Sequence, residues 1–96
     1  AITNVPAQAL FLLNNEFVIK QSRSAAQRVL NSPYQNPTAR IVRAWQITFG
    51  REPTDSEIKR AIDYLSRGRE LNESEETLWA GLFQALFASA EFRHVY

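Results

Sequence analysis

Apolar residues fall along this chain in helical stripes, with no run of strict alternation. The first segment is Val5 to Asn14, VPAQALFLLN, in which Pro6 suits a first helical turn and Leu10, Phe11 and Leu13 follow. It predicts a helix of about two turns that stops at Asn14-Asn15; either asparagine can cap the next helix through its side-chain oxygen. Glu16 to Asn31 is longer. Val18, Ala25 and Val29 make one stripe, joined by Phe17, Ala26 and Leu30, while Lys20, Arg23 and Gln27 lie opposite. Two prolines and two asparagines between Asn31 and Pro37 predict a loop. From Pro37 a third helix runs to Phe49, with Ile41, Val42, Trp45, Thr48 and Phe49 on one broad face and Arg40, Arg43 and Gln46 turned away.

The sharpest punctuation follows, in TFGREPTDSE, Thr48 to Glu57. Gly50 stands where a left-handed residue closes a helix, and Pro53 favours a turn. Thr54 and Glu57 have the spacing of a capping box: the threonine hydroxyl accepts the residue 57 N–H, and the glutamate reaches back to the residue 54 N–H. Ile58, Ala61, Ile62 and Leu65 then mark a buried stripe. Gly68 is expected to end this fourth helix, and Arg67 to Glu76 to form a charged connection. Thr77 to Phe92 is the most apolar run. Leu78, Trp79, Leu82, Phe83, Leu86 and Phe87 cover more than half a wheel, so this helix should lie most centrally, with Ser89-Ala90-Glu91 ending or kinking it. The expectation is an all-α fold, a compact orthogonal or antiparallel bundle of about five helices forming a single domain over residues 1–96.

Composition narrows the chemistry. Without cysteine there is no disulfide, thiolate metal site, cysteine nucleophile or covalent haem attachment in these 96 residues. No segment approaches the roughly 20 apolar residues of a membrane span. The chain begins at Ala1 and has no methionine, which reads as a processed chain or a piece excised from a longer protein. Its net charge of +1 conceals an asymmetry. Residues 1–50 carry Lys20, Arg23, Arg28, Arg40 and Arg43 against Glu16, whereas residues 51–96 are net acidic. Halves that pair with each other are the plain reading, and a basic face for an anionic partner is the functional one.

Candidate sites each have a structural reading. His94 and Glu91 share a helix face, but two ligands fall short of a metal site, and a surface histidine is the default. Glu73, Glu75 and Glu76 lack the spacing and glycine of a calcium loop; they suit a helix N-terminus. Glu52 and Asp55 have no apolar setting to separate their pKa values into an acid and a base. Trp45 and Trp79 lie within apolar stripes and read as core. Arg51 either bridges the turn to an acidic group or clamps a partner carboxylate. The inventory therefore gives no catalytic residue, cofactor or metal. It gives a structural corner of Gly50, Arg51, Pro53, Thr54 and Glu57, and docking candidates Arg40, Arg43 and Arg51.

Three phrases carry a family resemblance. WQITFGREPTDSE, Trp45 to Glu57, resembles an aromatic–apolar–Gly-Arg-x-Pro-Thr-x-x-Glu corner; LWAGLFQALFASAEFRHV, Leu78 to Val95, resembles a closing tryptophan-bearing helix; and LFLLNNEFVIKQSR, Leu10 to Arg23, matches an upstream phrase. In order and spacing they resemble the C-terminal domain of unknown function of planctomycete cytochrome c-associated surface proteins. Ala88 departs from the pattern, which often has asparagine there. The resemblance implies the C-terminal end of a long exported precursor, periplasmic or at the cell surface, and supplies no reaction or catalytic residue. The expected function is a non-catalytic interaction or structural module whose partners are other domains of its precursor or another protein. The alternatives are nucleic-acid binding through the basic half, and carbohydrate or small-ligand binding through Trp45, Tyr34 or Tyr96.

Overall fold

The computed structural model describes residues 15–95, with the side chains described as far as Ala90. Among these residues the fold is all-helical: α1 (Glu16–Leu30), α2 (Pro37–Phe49), α3 (Asp55–Glu70) and α4 (Glu75–Val95). The bundle therefore has four described helices where about five were expected; the short helix expected over Val5 to Asn14 lies outside the described residues.

Each helix begins where a side chain replaces a missing backbone partner. Asn15 Oδ1 accepts the N–H groups of Phe17 and Val18, and Asn36 Oδ1 accepts those of Thr38 and Ala39. Ser74 does the same for α4, its hydroxyl oxygen accepting the Thr77 N–H at 3.1 Å. Such a cap contributes about 1 kcal/mol, because an N–H at a helix start has no carbonyl one turn earlier.

Two boundaries differ from expectation. The fourth stripe does not stop at Gly68; α3 runs through it to Glu70, and the connection shrinks to residues 71–74. Gly68 is buried against Leu78, and a methyl group there would fall on Leu78 Cδ2. It is thus a contact glycine rather than a stop. At the other end, Ser89-Ala90-Glu91 neither ends nor breaks α4, which continues to Val95.

α4 packs against all three other helices, most extensively against α1, while the backbones of α1 and α3 do not approach each other closely. The side chains of Val29, Ile41, Leu65, Trp79 and Phe83 are essentially inaccessible. Burying each aliphatic or phenylalanine side chain contributes about 1.5–3 kcal/mol, so these few residues outweigh every surface contact in the molecule. Ser22, on the apolar side of α1, is also buried; its hydroxyl donates to Val18 O at 2.6 Å, satisfying it within its own helix.

Candidate functional site

Because α1 and α3 stand apart over α4, they leave an open groove of about 780 Å³. Its walls are Ile19 and Arg23 from α1 and Arg60, Tyr64 and Arg67 from α3. Its floor is the α4 strip of Thr77, Leu78, Ala80, Gly81 and Gln84, and Leu71 and Glu73 close one end. Leu71 is 75% exposed, the most exposed large hydrophobic among the described residues. A volume of this order is in the range of ligand and peptide-anchor sites.

Tyr64 bounds the groove on its far side. The phenol leans over α4, where its hydroxyl donates to Leu78 O at 2.9 Å. Gly81 lies beneath it, so close that a Cβ there would meet Tyr64 Oη. Burial, with a smaller contribution from Glu73, pushes the Tyr64 pKa up, so the phenol stays protonated and remains a donor. Beyond Tyr64 a second recess of about 430 Å³ continues between α2, α3 and α4, lined by Trp45, Phe49, Glu57, Leu82 and Ser89. The two share Arg60, Tyr64 and Gly81.

The Gly50–Glu57 corner borders this second recess. Gly50 adopts φ +70°, and its N–H donates to Gln46 O at 3.0 Å, closing α2. Thr54 and Glu57 form the reciprocal capping box, with Glu57 N–H donating to Thr54 Oγ1 and Thr54 N–H donating to Glu57 Oε1. Arg51 grips the same carboxylate with two N–H donors at 2.9 and 3.1 Å, donates to Glu52 O, and lies 5.4 Å from the centre of the Phe49 ring. Arg51, then the Thr54 N–H, draw the Glu57 pKa from about 4.5 to about 2. The Trp45 indole N–H adds to this from nearby, without reaching hydrogen-bond geometry. Glu57 is therefore a fixed anion that turns towards its own corner, and the geometry gives it no proton to donate near neutral pH.

Of the docking candidates, Arg40 and Arg43 stand one turn apart on α2 beside Tyr34, and Arg51 lies past the far end of that helix. Arg40 donates to Tyr34 O at 2.7 Å and to Leu30 O, bracing the α1–α2 loop. Arg51 is held by Glu57. Arg43 lines a depression with Arg28 and Tyr34. Lys20 and Arg23 line another with Glu16 and Gln27. Trp45 and Trp79 are both buried, and their indole N–H groups have no hydrogen-bond partner among the described residues. Glu75 is drawn to Arg69, while Glu76 accepts a long hydrogen bond from Gln27. The side chains of Glu91 and His94, and all of Tyr96, lie outside what is described. Among the described residues no cluster of three His, Asp or Glu side chains could hold a metal ion, and no helix is long and apolar enough to cross a membrane.

Sequence reasoning missed Arg60, Tyr64, Arg67 and Gly81. One available signal was Gly81 itself. An isolated glycine in an apolar helix costs about 1 kcal/mol relative to alanine, which marks a close approach from outside.

The fold and its groove define an all-α helical unit with an open, mostly apolar surface cleft. The chain belongs to the family described as PSD1, protein of unknown function (DUF1553), whose profile matches residues 1–65. Neither a curated protein nor a solved structure matches the chain.

Proposed function

We propose that this chain is a non-catalytic docking module of a larger exported bacterial protein, binding another domain of its precursor or a second protein through the α1–α3 groove. One observation carries the reading: two helices held apart over a third, with a largely apolar floor and an exposed leucine at the end. A surface of that kind invites a partner that removes it from water. The perturbed carboxylates agree, since Glu57 and Glu75 are both held ionised by bidentate arginines at helix corners. The setting outside the cytoplasm, at the C-terminal end of a planctomycete cytochrome c-associated surface protein, rests on the resemblance of the Trp45–Glu57 and Leu78–Val95 phrases. Nucleic-acid and carbohydrate binding have less support: Arg40 is occupied by carbonyls, and Trp45 is buried.

The test is to produce the 96-residue chain and the remainder of its precursor as separate polypeptides and measure their association by calorimetry. A complex that Leu71→Asp weakens supports docking through the groove. Failure of the two to associate, with a stable monomer whose groove is untouched by any domain of the precursor, removes the intramolecular form of the proposal.

A further inference from the structure

We infer that the groove receives an acidic peptide segment of a partner protein, with an aliphatic side chain seated on the α4 floor and carboxylates held by Arg23, Arg60 and Arg67. This deepens the docking reading and rests on it.

The arginines divide by what they hold. Arg51 and Arg69 each hold a glutamate through two N–H groups, and Arg40 holds two carbonyls. Arg23, Arg60 and Arg67 make no ion pair among the described residues. Yet a carboxylate is at hand: Asp63 stands three residues after Arg60 and four before Arg67, spacings at which helical pairs form. It lines the groove with them and pairs with neither. Arg28 and Arg43 are also without an ion pair, but they line a different depression, beside Tyr34, with no α4 floor beneath them. The groove arginines instead come from two facing helices, across a floor in which Leu78, Ala80 and Gly81 lie between Thr77 and Gln84.

That combination selects the occupant. A phosphate or a nucleic-acid backbone would satisfy the guanidiniums and leave the apolar floor wet. A purely apolar segment would cover the floor and take Arg23, Arg60 and Arg67 out of water without a partner, which is unfavourable. A peptide that alternates aliphatic and acidic side chains meets both demands, and guanidinium forks bind carboxylates through paired hydrogen bonds. The chain's own first fourteen residues carry no acidic side chain, so they do not supply the complementary charge.

The experiment is a selection of random short peptides, displayed on phage, against the immobilised full chain. The enriched peptides are then synthesised and their binding followed by fluorescence anisotropy. The expected result is enrichment of sequences with aspartate or glutamate beside leucine, isoleucine or valine. Their affinity should fall by about tenfold or more in the exposed double variant R60E/R67E, and should weaken with added salt. Circular dichroism establishes that the variant folds, and amide chemical-shift changes at Ala80 and Gly81 place the peptide in the groove. Enrichment of neutral or basic peptides, no enrichment at all, or equal binding to R60E/R67E overturns the proposal. So does concentration-dependent dimerisation that R60E/R67E abolishes, which would give the groove to a second copy. If the precursor remainder still binds R60E/R67E as tightly as the natural chain, docking stands and the acidic occupant falls.

Discussion

The two corners of α3 solve one problem with different materials. At each, an arginine grips a glutamate six residues later through two N–H donors, Arg51 to Glu57 before α3 and Arg69 to Glu75 after it. The turns between differ. The first uses Gly50 in the left-handed region, a single closing bond to Gln46 O, then Pro53 and a full capping box. The second uses Asn72 at φ +62°, with Glu73 N–H donating to Gly68 O and Asn72 N–H to Arg69 O, the paired bonds of a Schellman motif. Asparagine tolerates that backbone because its short polar side chain compensates locally. The second corner therefore releases its glycine for another task, and Gly68 lets Leu78 press against α3.

The largest effect that separates the corners should come from the glycines. Gly68→Ala is expected to destabilise by about 2 kcal/mol in urea denaturation, because the overpacking against Leu78 exceeds the gain in helix propensity. Gly50→Ala meets nothing within 4 Å and should lose only the backbone preference, about 1 kcal/mol. If Gly50→Ala proves the costlier change, the contrast between a contact glycine and a turn glycine is wrong. Thr54→Ala should then cost about 1 kcal/mol through the lost cap, with Ser74→Ala at or below it, since Ser74 lacks a reciprocal glutamate.

Acid provides a smaller and more selective comparison. Glu57 releases its proton more readily in the folded chain than in the unfolded one, so its contribution is full above pH 4.5 and disappears as the pH falls towards about 2. Arg51 and Glu57 are both partly open to solvent, which moderates the effect. Thermal unfolding across that window should show Glu57→Gln flattening part of the acid loss. Glu75→Gln should act in the same direction, since Arg69 lowers the Glu75 pKa as Arg51 lowers that of Glu57. Smallest of all, Leu71→Ser at the second corner should change stability by less than about 0.5 kcal/mol, because the side chain is already in water. A larger loss would mean that Leu71 supports the fold rather than the groove.

The first corner was legible because each of its parts has a local chemical signature: glycine for positive φ, proline for the turn, and threonine and glutamate at a capping interval. The second was misread because a glycine near the end of a stripe can close a helix or admit a neighbour. Only Leu78, ten residues away, distinguishes these. The central position of α4 followed from its breadth of apolar residues, since a helix greasy over more than half its circumference needs several neighbours. The groove had no such local sign. It exists because α1 and α3 fail to meet, a property of the packing of three helices that no single stripe encodes. Arg60 and Arg67 look in the sequence like ordinary solvated residues of an amphipathic helix.

The closeness of Tyr64 to Gly81 has an evolutionary corollary. A β-carbon at position 81 requires the phenol to swing away from Leu78 O, so family members with alanine there should carry a smaller or differently angled residue at 64. The two sites should change together across lineages, and restoring tyrosine alone to such a relative should reopen a steric conflict that its ancestors had already resolved.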